Sequence, residues 1–83
     1  MKYIAQIDIM PLKELLDPQG KTVEHNLHNL DINGISDVRI GKHIELVVEA
    51  ENQQAAEAMV ETTCKKLLAN MIMESYQFEL TEV

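Results

Sequence analysis

Lys2 to Met10 alternates apolar and polar residues with a period of two. Tyr3, Ala5, Ile7 and Ile9 fall on one face, while Lys2, Gln6 and Asp8 dominate the other. That pattern predicts a strand buried on one side. Pro11 ends it, because proline has no amide hydrogen to give a ladder. Leu12 to Leu16 follows as a connector whose three leucines predict packing against the core. Asp17 stands where its carboxylate can accept from free amides at a helix start, and Pro18 suits the first helical position. Val23, Leu27 and Leu30 then recur at spacings of four and three, which places them on one helical face. Glu24 sits early in this helix, where the macrodipole favours a carboxylate. Asn33-Gly34 closes the unit.

Ile35 to Ile40 and Ile44 to Ala50 read as the two strands of a hairpin, with Gly41-Lys42-His43 as its loop and Gly41 marking the reversal. Pairing Ile40 with Ile44 and Val38 with Leu46 gathers all four on one face. The same register sets Arg39 opposite Glu45 on the other face, a favourable cross-strand pair. A slip by one residue would spoil both faces. Asn52 then caps a second helix with Glu57 and Glu61 on its outer side. Its inner stripe reads as Ala55 or Ala56, Met59, Val60, Thr63, Leu67 and Leu68, and Asn70 stops it. Glu74 to Leu80 alternates again, Tyr76, Phe78 and Leu80 against Ser75, Gln77 and Glu79. The order β-α-β-β-α-β predicts an α+β fold: a ferredoxin-like two-layer sandwich, its four-stranded antiparallel sheet carrying both helices on one face.

Size and charge narrow the function. The 83 residues read as one domain, 1–83. So short a chain buries only about 60–65% of its unfolded surface, which leaves a thin stability margin. Seven basic against fourteen acidic residues give a net charge of −7. That balance opposes the phosphate attraction on which nucleic-acid binders rely and favours protein partners with basic patches. One cysteine excludes an internal disulfide and fits a reducing, cytoplasmic setting. Neither a secretory signal nor a membrane-spanning run is expected. The sheet face away from the helices mixes Ile4, Ile35 and Val47 with Lys2, Gln6, Arg39, Glu45 and Glu49. A small core with a mixed outer face predicts self-association through that face or a sheet edge.

The reactive residue types form no catalytic constellation. Cys64 lies in mid-helix beside Lys65 and Lys66, away from any strand-to-helix elbow, and reads as a core thiol. His25 and His28 share a helix with Glu24 and Asp31, too loose a set for a metal site, and read as solvated. His43 reads as an exposed hairpin tip. Gly20 and Gly41 belong to no phosphate-binding signature. Lys42 beside Arg39 suits a single anion, such as a partner's carboxylate. Met10, Met59, Met71 and Met73 read as core or interface filler. The middle strands lack the stacking aromatics of an RNA-binding sheet.

Three separated motifs carry a resemblance over essentially the whole chain. Leu16-Asp17-Pro18-Gln19-Gly20, Asp37-Val38-Arg39-Ile40-Gly41-Lys42, and Cys64-Lys65-Lys66-Leu67-Leu68-Ala69-Asn70 with Glu74-Ser75-Tyr76 resemble the PurS family in order and spacing. PurS is the small subunit of phosphoribosylformylglycinamidine synthase, an enzyme of purine biosynthesis. The resemblance implies a subunit without an active site or cofactor of its own. In such complexes a PurQ glutaminase releases ammonia from glutamine. A PurL synthetase, using ATP and magnesium, activates formylglycinamide ribonucleotide for attack by that ammonia. PurS dimerises, bridges the two and assists ammonia transfer. It further implies that Asp17, Pro18, Gln19 and Gly20 form a signature turn and Arg39, Gly41 and Lys42 a hairpin tip. These residues, with Asn70, are expected to form contact surface or fix the dimer. Asp31 departs from the family, standing where many relatives have glycine, and Met71 replaces a smaller residue or proline. Two other classes remain beside the bridging subunit: a small-ligand-binding regulatory domain of the same topology, and a freestanding enzyme. The regulatory domain is normally fused to an effector segment. The enzyme needs a nucleophile and base that the chain does not pair.

Overall fold

A computed structural model describes residues 1–13, 15 and 17–83. Five elements organise it: β1 (Lys2–Pro11), α1 (Pro18–Asn29), β2 (Lys42–Glu49), α2 (Gln53–Thr63) and β3 (Glu74–Glu82). The sheet has three strands in the order β2-β1-β3, both pairs antiparallel. The α+β class with an antiparallel sheet and two helices is as the sequence implies. Among the described residues there is no fourth strand, and the order is β-α-β-α-β.

Ile35 to Ile40 joins no ladder. The expected hairpin does not form although β2 keeps a free outer edge, because the Ile40 amide goes to the Asp17 side chain and Asp37 turns into the left-handed region. Ile44 lies opposite Ile7, Leu46 opposite Ala5 and Val48 opposite Tyr3, and neither Ile40 nor Val38 pairs with β2. Arg39 is correspondingly not opposite Glu45, whose partner is Gln6. His43 is no loop tip either. It stands within β2, opposite Asp8 on the open sheet face, its Nδ1 2.6 Å from Asp8 Oδ1 and its Nε2 2.5 Å from Gln6 Oε1.

The core lies between α2 and the sheet. Tyr3, Ala5, Ile7 and Ile9 from β1, with Val48, are buried against Ala56, Val60 and Cys64, four apart on α2. Asn52 caps α2, its side chain accepting from the Ala55 amide at 2.8 Å. A π-helical turn, Cys64–Leu68, then prolongs α2, closed by the Ala69 amide donating to the Cys64 carbonyl at 2.9 Å. Each residue there advances less than the α-helical angle, so Leu68 swings toward the core and Leu67 swings out. Leu67 is 78% and Met59 49% exposed. The inner stripe is therefore Ala56, Val60, Cys64 and Leu68, with Cys64 in the place expected for Thr63 or Leu67.

The expectation of two helices on one face is corrected as well. Among the described residues, only α2 packs across the strands. Among its residues α1 buries Gly20 alone, and Val23, Leu30, Ile32 and Ile35 stay open to solvent. The radius of gyration is 16.5 Å and the extents are 52 × 26 × 15 Å. A compact chain of this length would measure about 12 Å. The helix α1 and the arm that returns from it to β2 thus project from the α2–sheet body. Of the connector leucines, Leu12 donates its amide to the Met73 carbonyl at 2.9 Å and Leu15 is exposed, whereas Leu16 lies outside the described residues.

The end of α1 bears on the expectation at Asp31. Ile32 donates to the Leu27 carbonyl at 3.0 Å and Asp31 to the His28 carbonyl at 3.1 Å, the paired bonds of a Schellman motif. Asp31 holds a φ of 59°, the left-handed conformation that glycine adopts without penalty. The helix therefore stops at Asn29, before Asn33-Gly34.

A candidate subunit-contact corner

The first two signature segments meet where α1 begins. Asp17 is the N-cap: one carboxylate oxygen accepts from the Gly20 amide at 3.1 Å. Its other oxygen accepts from the Ile40 amide at 2.7 Å, twenty-three residues along the chain. One side chain thereby caps the helix and pins the returning arm. The Ile40 amide, then the Gly20 amide, hold the Asp17 carboxyl below its usual range. Gly20 lets the two backbones touch, because a Cβ there would overlap the Val38 carbonyl. Higher on the helix, the Asp37 amide lies 3.4 Å from Glu24 Oε1, and Asp37 itself holds a φ of 57°.

Arg39 reaches the other way. Its guanidinium donates to the Pro11 carbonyl at the end of β1. Gly41 does not form a hairpin turn. It sits where the chain crosses β1, and a Cβ there would strike the Ile9 carbonyl and the Met10 sulfur. Lys42 Nζ lies 3.9 Å from Glu74 Oε2. The third motif joins through Glu74, whose Oε1 accepts from the Asn70 amide at 2.8 Å. The Asn70 side chain accepts from the Ile72 amide at 3.0 Å, and its carbonyl accepts from Met73 and Glu74, so it builds the turn into β3.

A shallow cavity of about 310 Å³ lies at this meeting point, lined by Pro11, Leu15, Asp17, Pro18, Ile40, Asn70, Met73 and Glu74. Asp17, Pro18 and Asn70 therefore share one corner, and Gly20, Arg39, Gly41 and Lys42 brace it from behind. Gln19 faces the adjoining surface with Thr22, Val23 and Ile40. Sequence reasoning missed Pro11, Glu24 and Glu74 as partners in this network. Glu74 lies four residues beyond Asn70, a spacing that invites contact across a turn. The bonds to Pro11 and Glu24 have no local signature.

The remaining reactive groups are committed elsewhere. Cys64 is buried, and burial pushes its thiol up, with the Glu61 carboxylate adding to the effect. The Tyr76 hydroxyl donates to Glu61, and that bond, helped by burial, pushes it up to about 12. Among the described residues, no three His, Cys, Asp or Glu side chains are grouped to hold a metal, and no helix is long and apolar enough to cross a membrane.

Fold and corner together define a small helix-backed α+β protein with an outlying helix tied to its returning arm through Asp17 and Gly20, and that arm tied to β1 through Arg39. Comparison with known proteins gives the family. The model of the PurS family, described as phosphoribosylformylglycinamidine (FGAM) synthase, matches residues 4–82, and the chain belongs to that family. It is 40% identical to phosphoribosylformylglycinamidine synthase subunit PurS of Bacillus subtilis (strain 168), over 98% of this chain and 95% of that protein. A chain in the structure of PurLQS from Thermotoga maritima superposes with a TM-score of 0.88 at 32% identity, covering 98% of this chain and 99% of that one. Methanocaldococcus jannaschii PurS, one of the subunits of formylglycinamide ribonucleotide amidotransferase in the purine biosynthetic pathway, gives 0.84 at 32% identity, with 98% of each chain covered. The chain's function is that of the family: a subunit of FGAM synthase in purine biosynthesis.

Proposed function

We propose that this chain is a non-catalytic bridging subunit that links a PurQ-type glutaminase to a PurL-type synthetase and assists the passage of ammonia between them. It works as one PurS-like domain spanning 1–83 in a cytoplasmic complex. ATP and magnesium belong to the synthetase, and the bridge itself uses neither. The observation that carries this reading is the division of the molecule. The residues that resemble the family's signature gather at one corner through the Asp17–Ile40 bond and the Gly20–Val38 approach, while Val23 and Leu30 of the adjoining helix stay open to solvent. A helix of twelve residues is marginal in water on its own, so association supplies the packing that Val23 and Leu30 lack. A second copy of the chain serves this purpose in a homodimer, and the corner, with Asp17, Pro18, Gln19, Arg39, Lys42 and Asn70, is contact surface for the larger subunits.

Reconstitution tests the reading. The isolated chain is expected to hydrolyse neither glutamine nor ATP, and adding it to the other two subunits should restore glutamine-dependent synthesis of formylglycinamidine ribonucleotide. Equal synthesis by those two subunits without it would refute the bridge.

A further inference from the structure

Asn33 and Gly34 follow the Schellman stop of α1, in a stretch without helix or strand. Both are exposed. Gly34 holds a φ of 95°, and a Cβ built on it would meet no atom within 4 Å. Among the described residues, neither the Gly34 amide nor the Asn33 side chain takes part in a hydrogen bond. The backbone nitrogen after Asn33 is thus unencumbered, unpaired and next to a side-chain amide.

From this geometry we propose that Asn33-Gly34 is a site of spontaneous covalent modification, through a succinimide, to aspartate and isoaspartate. The Gly34 nitrogen loses its proton to solvent base and attacks Asn33 Cγ. A C–N bond forms, the bond to Nδ2 breaks, and the side-chain nitrogen leaves as ammonia. Water then opens the ring at either carbonyl. Opening at one restores the normal backbone with a carboxylate side chain. Opening at the other routes the backbone through the side-chain carbon. No oxidant, reductant or enzyme is needed, and the balance is one water in and one ammonia out.

The other asparagines are protected by their settings. Asn26 and Asn29 lie within α1, whose helical bonds fix the following amide, and each precedes a leucine. Asn52 has its side-chain oxygen on the Ala55 amide, and Asn70 has its own on the Ile72 amide. Only at Asn33 is the attacking nitrogen that of a glycine, with no side chain to obstruct the approach. Conversion places a new negative charge between Ile32 and Ile35, two exposed apolar residues on the outlying arm.

The test ages the full-length chain in warm, mildly alkaline buffer and follows each asparagine by peptide mass mapping, with enzymatic methyl labelling to count isoaspartate. Asn33 should convert at least about tenfold faster than Asn26, Asn29, Asn52 or Asn70, and Gly34→Ala should slow it by a similar factor. Alanine at a φ of 95° strains this exposed turn but meets no other atom, and circular dichroism verifies that the variant folds. An Asn33 amide as durable as that of Asn70 would overturn the site. Undiminished conversion in a folded Gly34→Ala chain would overturn the succinimide route. Neither result depends on the partners proposed above.

Discussion

The α2–sheet body and the α1 arm are built from residues of similar character, yet among the described residues it is the body that holds the buried apolar core. In the body, Ile7 and Ile9 are fully buried beneath Ala56, Val60 and Cys64. In the arm, Leu30 is 69% exposed on a helix whose sole buried residue, among those described, is a glycine. The body is held by burial, which is non-directional and scales with area. The arm is held by a few directional bonds: Asp17 to Ile40, Arg39 to Pro11, and the Gly20–Val38 contact. Burial on this scale makes a region self-sufficient. A few directional bonds set a direction and leave an apolar face for another chain.

The sharpest challenge to that contrast is a pair of truncations. Ile7→Ala should cost about 4 kcal/mol in urea unfolding, since it removes a fully buried side chain from a core that cannot collapse around it. Leu30→Ala should cost the monomer less than about 0.5 kcal/mol, as surface changes usually do. Equal losses would mean that the arm has a core of its own. Gly20→Ala comes next. Its Cβ would overlap the Val38 carbonyl, and relieving that overlap should cost about 1–3 kcal/mol, confined to the arm. Hydrogen exchange should quicken at the Ile40 amide and stay slow in β1, whereas uniform quickening would join the two regions into one cooperative unit.

Acid sharpens the contrast further. The Asp17 carboxyl is depressed in the folded chain. Its stabilisation is therefore complete above the unfolded value of about 4 and disappears as pH falls through the lower folded value. The Gly20 and Ile40 amides should lose protection over that acid range, and Asp17→Asn should remove the pH dependence at both. The smallest effect is a gain. Asp31→Gly relieves a left-handed aspartate and should stabilise α1 by up to about 1 kcal/mol, read as added helicity near its C-terminal end.

Much of the body was legible in the alternation of β1 and β3, and in the Asn52 cap with its following apolar stripe. Those patterns are local, and the core uses them as written. Ile35 to Ile40 was misread for a physical reason. Alternation reports that a segment suits a pleated ribbon, not that it will pair: β2 keeps an outer edge free, yet the Ile40 amide is taken by Asp17 and the left-handed Asp37 breaks the ribbon. The π-helical turn was likewise invisible, because it shifts the phase of an α-helical count without a dedicated residue type. At the corner, the motifs marked the participants through their resemblance to a family. Their mutual contact was not readable, since it joins Asp17 to Ile40 and Arg39 to Pro11 across long stretches of chain. The left-handed turn at Asp31 left only a trace: an aspartate where the resemblance led one to expect glycine.

The strand order has a consequence for how the molecule is made. β1, the earliest strand, is the middle of the sheet, and its second neighbour, β3, is the last element of the chain. A nascent polypeptide emerging in sequence order holds β1 unsatisfied along one edge until residues 74–82 have cleared the ribosome. The sheet therefore closes only after synthesis of this region is complete. The wait falls on the most apolar strand, and a translational stall within α2 would release a two-stranded ribbon prone to clumping.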